Sequence, residues 1–238
     1  NEARAIVALS LPIQQAIEKK IEEKKIYCIP NMADTEYYKP MAPDPAFQRK
    51  YNPEGKFIIS YIGAVGLANG LEYFLECARA CQRVGLPVQF ILCGAGARLQ
   101  NLKEAANRIS LQNLTIADFQ NRAGVKQLLS ITDSVFISYK PVPVLETGSP
   151  NKYFDGLAAG KLVLMNFGGW IRNEVEQHQC GIALDPRQPT DVVKKISPFI
   201  ENKALLVTYQ QAARKLAEEK YSRKKLGEKF YQVIAHVE

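Results

Sequence analysis

Four short loops carry the residues best suited to hold an anion. The run Gly63-Ala64-Val65-Gly66-Leu67-Ala68-Asn69-Gly70 follows an apolar stretch and leads into a helical pattern. Its glycines would let backbone N–H groups approach a phosphate at the positive end of a helix, although the spacing is not G-x-G-x-x-G. A second loop, Gly94-Ala95-Gly96-Ala97-Arg98, also opens a helix; a lone G-x-G serves equally to permit a tight strand-to-helix turn. The third, running from Pro141 through Glu146 to Ser149-Pro150-Asn151-Lys152, is the most specific. Pro150 suits the first turn of a helix and Ser149 its N-cap. Lys152 then sets a cation beside the positive helix end, which is disfavoured unless an anion binds there, so Ser149 to Lys152 reads as a diphosphate seat. Asp155, one turn on, could accept hydrogen bonds from ribose hydroxyls or serve only as a first-turn carboxylate. The fourth loop, Phe167-Gly168-Gly169-Trp170, could line the same crevice, with Trp170 alternatively covering a hydrophobic edge.

Such loops need strand ends to hold them. Apolar runs at Ala5–Leu9, Ile26–Ile29, Phe57–Ile62, Val88–Cys93, Leu114–Ala117, Val135–Ser138, Leu162–Met165 and Ile182–Leu184 read as buried strands. Helical spacing between them, over residues 71–84, 99–109, 125–131, 151–159, 173–178 and 191–202, predicts a Rossmann-like parallel sheet with helices on both faces. The composition agrees: among 238 residues, 47% hydrophobic and 23% charged, a real core can form, which excludes disordered and disulfide-stapled classes. No apolar run reaches the roughly 20 residues of a bilayer span. No signal peptide is read at the start, and the opening Asn1 makes the chain read as a fragment.

A net charge of +7 favours acidic partners such as phosphorylated substrates, an anionic membrane surface or nucleic acid. Five cysteines with no C-x-x-C pair read as reduced core thiols, including Cys77 and Cys81 at i, i+4, so no metal is expected. His178 and His236 are too few and too peripheral for a nucleophilic triad. Three prolines within six residues (Pro40, Pro43, Pro45), followed by Pro53 and Gly55, are read as precluding helix and marking an interdomain linker over 40–55. Residues 1–39 then read as the remnant of a larger N-terminal domain, with the strand–helix–strand unit Ala3 to Ile29 as the least stable part, and 56–238 as the main domain. The C-terminal stretches 205–220 and 222–237 intersperse both charge signs, as solvated helix faces do, and no nucleic-acid partner is expected.

Ala5-Ile6-Val7-Ala8-Leu9-Ser10 and Ile29-Pro30-Asn31-Met32-Ala33-Asp34-Thr35, running on to Pro40, resemble the end of the first domain and the "I-P-N-G-V-D-T-x-x-F-x-P" signature of one large family. That family is the retaining glycosyltransferases of GT-B fold, glycosyl transferases group 1, and the resemblance to its C-terminal donor domain covers essentially the whole chain. The block Ser149 to Gly160, S-P-N-K-Y-F-D-G-L-A-A-G, is similar to the subgroup that makes bacterial surface polysaccharides and lipopolysaccharide. The resemblance implies a UDP- or GDP-sugar as substrate, no permanent cofactor, and a saccharide or lipid-linked acceptor presented by the missing N-terminal half. It implies a cytoplasmic enzyme, with peripheral contact at the inner face of the membrane as an option, and inactivity of the fragment alone. The loops at Gly63, Gly66, Asn69, Gly70 and Gly94 and the segment Ser149–Lys152 would hold the diphosphate, with Arg98 a further cation. Asp155 would hold the ribose and Asp118-Phe119 the base edge. Glu146 and Lys152 would be the catalytic pair. The family's two acidic residues are separated by seven others; Asp155 fits the second, but Thr147 stands at the first, with Glu146 displaced by one. The basic pair often flanking the first glycine-rich loop is replaced by Ala64 or Val65 and Asn69, and Asn31-Met32-Ala33 stands for Asn-Gly-Val. A non-catalytic nucleotide-binding module, a GT-B-like nucleotide-sugar epimerase and a basic nucleic-acid binder are the alternatives.

Overall fold

The computed structural model describes residues 3–21 and 25–235; His236 and the expected helix end at Val237 lie outside the described residues. The chain opens with β1 (Ala5–Ala8), α1 (Leu11–Glu18) and β2 (Lys25–Cys28), the two strands pairing in parallel as a small separate sheet. Ser10 caps α1 by accepting a hydrogen bond from the Ile13 N–H. The unit is less bare than the sequence suggests, because Ala5, Val7 and Tyr27 pack against the main core.

The proline-rich stretch holds a helix, α2 (Pro45–Tyr51), inside the span expected to exclude one. Pro45 sits at the first helical position, where no N–H is required, and Asp44 caps the turn by accepting from the Ala46 and Phe47 N–H groups at 2.9 Å each.

Then follow β3 (Phe57–Ile62), α3 (Glu72–Arg83), β4 (Val88–Cys93), α4 (Leu99–Arg108), β5 (Leu114–Ala117), α5 (Arg122–Ile131) and β6 (Ser134–Ile137). After them come α6 (Pro143–Glu146), α7 (Asn151–Ala158), β7 (Leu162–Met165), α8 (Trp170–Gln177), β8 (Gly181–Ala183) and α9 (Asp191–Glu201). Among the described residues these strands make one six-stranded, all-parallel sheet ordered β5-β4-β3-β6-β7-β8. Burial on both faces is why β3, β4, β6 and β7 read as apolar runs. Alternation still operates within them: Ile58 packs with Leu128 of α5, whereas Ile59 joins Phe74 of α3 on the other side. The chain winds outward from β3 to β5, then jumps back to β6 beside β3. Loops leaving β3 and β6 therefore diverge, opening a crevice at the strands' carboxyl ends.

A long α10 (Lys203–Leu216) packs on α7, α9 and β7. A π-helical turn (Ala217–Tyr221) then leads into α11 (Arg223–Ala235), which runs back to the small sheet, where Lys229, Gln232 and Val233 face Tyr27, Cys28 and Ile29 across a cavity of about 250 Å³. The expected helix at 205–220 therefore starts earlier and ends in the π turn, and that at 173–178 begins already at Trp170.

Candidate active site at the topological switch point

The loop leaving β3 is built on its neighbour. The Gly63 and Val65 N–H groups donate to the carbonyls of Cys93 and Ala95, each at 2.9 Å. A Cβ at position 94 would lie 1.8 Å from the Gly63 carbonyl oxygen, and one at position 96 would lie 2.4 Å from that of Val65. The second loop's glycines thus permit backbone-to-backbone packing, and Gly94 acts on the site through Gly63. Asn69 is largely turned inward, its Oδ1 accepting from the Gly66 N–H at 3.1 Å, while Gly70 takes the left-handed backbone that lets Lys140 pass close by. Arg98 is engaged with Glu72 of α3 at 2.9 Å and does not enter the crevice as a free cation.

At the start of α7 the capping differs from the expected pattern. Pro150 occupies the N-cap, and Ser149 is held from outside: its Oγ accepts from the Asn31 N–H at 3.2 Å and its carbonyl accepts from the Asn31 amide at 2.5 Å. Asn31 thus fixes Ser149 in place by donating to it, and among the described residues no side chain caps α7. Asn151 is exposed at this end.

Lys152 reaches back from α7 to the β3 loop. Its Nζ donates to the Tyr61 hydroxyl at 2.5 Å and lies 4.0 Å from the Tyr61 ring centre, and a Cβ at position 63 would touch the lysine Cε at 3.2 Å. The tyrosine is fixed in turn by donating to the Ala64 carbonyl at 2.5 Å. Burial without a charged partner pushes the Lys152 amine down to about 7. The first and third sequence-picked loops therefore meet in one side chain, a desolvated amine at a positive helix end.

Asp155 lines a small cavity together with Ser60, Ile62, Val125 and Lys152. Burial pushes its carboxyl up to about 6, with the Arg122 guanidinium pulling the other way and Asp34 adding to the rise. Arg122, which opens α5, stacks 3.9 Å from the Tyr37 ring centre and pairs with Asp34, which Arg223 also reaches at 2.8 Å. Arg122 is not among the residues picked from the sequence, yet it carries the same signal as Lys152, a cation in the first turn after a strand end. Across Ile62 and Val125 lies a further cavity of about 300 Å³, with Phe119 at its rim, 72% exposed.

Glu146 accepts from the Gly168 N–H at 3.3 Å, and a Cβ at Gly169 would come 2.5 Å from the Glu146 carbonyl oxygen. Trp170 donates its indole N–H to the Gly148 carbonyl at 2.8 Å and packs edge-on to Tyr153, so it both joins the rim and covers an aromatic edge. Beneath this rim the buried Glu174 accepts from the hydroxyls of Tyr153 at 2.7 Å and Tyr221, and pairs with Lys220, binding α7, α8 and the π turn together. His178 ends α8, and Cys77 and Cys81 are buried. Among the described residues no group of His, Cys, Asp and Glu could hold a metal ion, and no helix is long and apolar enough to cross a membrane.

The parallel sheet flanked by helices matches the fold of GT-B-type glycosyltransferases. The chain belongs to the family described as glycosyl transferases group 1, whose model matches residues 44–216. It is similar to the alpha-D-kanosaminyltransferase of Streptomyces kanamyceticus, 21% identical over 195 residues that cover 80% of this chain and 48% of that protein. Among solved structures it superposes on a glycosyltransferase from Rickettsia africae with TM-score 0.80 at 19% identity, covering 98% of this chain and 63% of that one. Anabaena HepE in complex with UDP and glucose gives TM-score 0.82 at 18% identity, covering 98% and 64%. The chain thus spans about half the length of the kanosaminyltransferase and less than two thirds of either structure.

Proposed function

We propose that this chain is the donor-binding half of a retaining glycosyltransferase of cell-surface polysaccharide or lipopolysaccharide synthesis. Residues 56–238 bind a nucleoside diphosphate sugar, 40–55 form the linker, and 1–39 belong to an acceptor domain completed by further chain. The observation that carries this reading is Lys152, poised between the start of α7 and the Gly63 loop with its amine desolvated and no anion paired to it. A diphosphate entering there restores the ammonium and is met by one strong cation and the free N–H groups at the positive end of α7. Asp155 holds the ribose, and the cavity beside Phe119 takes the base, the two being contiguous across Ile62 and Val125.

In transfer with retention the anomeric bond to the diphosphate weakens while negative charge gathers on the leaving oxygens. Lys152 and the α7 amides are already oriented toward that charge, which is where preorganised donors lower a barrier most. Glu146, on the rim at Gly168, faces the sugar side of the crevice. The acceptor hydroxyl arrives from the completing domain, in a cytoplasmic setting at the inner face of the membrane. Calorimetric titration of the chain with UDP and GDP tests the donor site. Losing a charge-assisted contact in Lys152→Ala is expected to cost about 1.5 to 3 kcal/mol of diphosphate affinity, and unchanged affinity would overturn the placement.

A further inference from the structure

Resting on the donor-site reading, we infer that the cavity beside Phe119 selects uracil over guanine, with Phe119 as stacking platform and Gln120 as the side chain that reads the base edge. The lining is neutral: Ile62, Val125, Cys93 and the glycine-built turn at Gly94-Ala95, together with Phe119 and Gln120. Gln120 carries the cavity's one polar side-chain amide. That amide lies across the first turn of α5, where a Cβ at Gly124 would meet its Oε1 at 2.2 Å, and its Nε2 donates to the Asp118 carbonyl at 3.2 Å.

Guanine presents three N–H donors along one edge, N1–H and the N2 amine, and such an edge is best met by a carboxylate. Asp118 is the carboxylate nearest in sequence, but it does not line the cavity. Its side chain is exposed and its charge bears on Lys50 of α2, while its carbonyl already accepts from the Cys93 thiol and the Gln120 amide. Guanine would therefore bury at least one amine hydrogen without an acceptor, which is the costly case. Uracil presents one N–H beside a carbonyl, and a single carboxamide matches that pair, its oxygen accepting and its NH₂ donating. Phe119 is 72% exposed, which leaves its ring accessible for stacking on a base.

The test is calorimetric titration of the chain with UDP, GDP and inorganic pyrophosphate, repeated on Phe119→Ala and Gln120→Glu. UDP is expected to bind at least about tenfold more tightly than GDP. Phe119→Ala should weaken UDP by roughly tenfold and leave pyrophosphate unchanged, since only the base loses a stacking partner. Gln120→Glu should narrow or reverse the UDP to GDP ratio, because the new carboxylate accepts from guanine and opposes the uracil carbonyl. Equal affinity for UDP and GDP in the parent chain, or a ratio unmoved by Gln120→Glu, overturns the base assignment while leaving the donor site standing. Failure of UDP, GDP and pyrophosphate alike to bind overturns the donor site itself, and the base assignment with it.

Discussion

Lys152 and Asp155 titrate in opposite senses. In the folded chain the lysine releases its proton near 7 instead of 10.5, so between those values the unfolded chain binds more protons and stability from this residue rises with pH. Asp155 keeps its proton up to about 6 instead of 3.8, so between those values the folded chain binds more protons and stability from this residue falls as pH rises. Thermal unfolding midpoints followed from pH 4 to 10 should lose the alkaline rise in Lys152→Met and the acidic fall in Asp155→Asn. In the proposed diphosphate role the charged amine is the binding form, so UDP affinity should decline above about pH 7 in the parent chain and stay flatter in Lys152→Arg, whose guanidinium remains charged; a parallel decline in both would discount the amine. In the ribose role, Asp155→Asn should weaken UDP but not pyrophosphate. Lys152 was legible in the sequence because a cation in a helix's first turn is locally anomalous. Arg122 shares that anomaly, but its meaning depends on Asp34, 88 residues away, and on the Tyr37 ring, and no local pattern reports such partners.

Among the elements, the strands were legible to within a residue, and most plainly β3, β4, β6 and β7, which are buried on both faces and so read as apolar runs. The short helix α2 was not, since the proline that opens it reads as a breaker although it is tolerated at a helix start, and the single turn of α6 lies inside a stretch read as a loop. The tight contact between the loops after β3 and β4 was also invisible, because glycine has no side chain to betray what approaches it. Gly94→Ala must force those loops apart and carry Gly63 away from Lys152. It should cost about 1 to 3 kcal/mol in urea denaturation and weaken diphosphate binding as well. Gly227→Ala, on α11 with nothing within 4 Å, should instead stabilise by about 0.5 to 1 kcal/mol. Equal effects of the two would show that loop packing is not what position 94 contributes.

For the whole molecule, the chain spans 63 to 64% of the glycosyltransferase structures it superposes on. Side-by-side assays should find UDP binding in this chain but sugar transfer only in a protein extended by the completing domain, since closure of two halves is what aligns the reacting atoms. Comparable transfer by both would locate the acceptor site within these residues. The small β1–β2 sheet enters here in another way. Ser10 donates to the Thr147 carbonyl at 2.6 Å, and Asn31 grips Ser149 twice, so links from the segments that follow the two strands of that sheet land within the four residues ahead of α7. Any tug on the small sheet is delivered through these parallel tethers to the stretch that aims Lys152, which makes that stretch the strain gauge of the molecule.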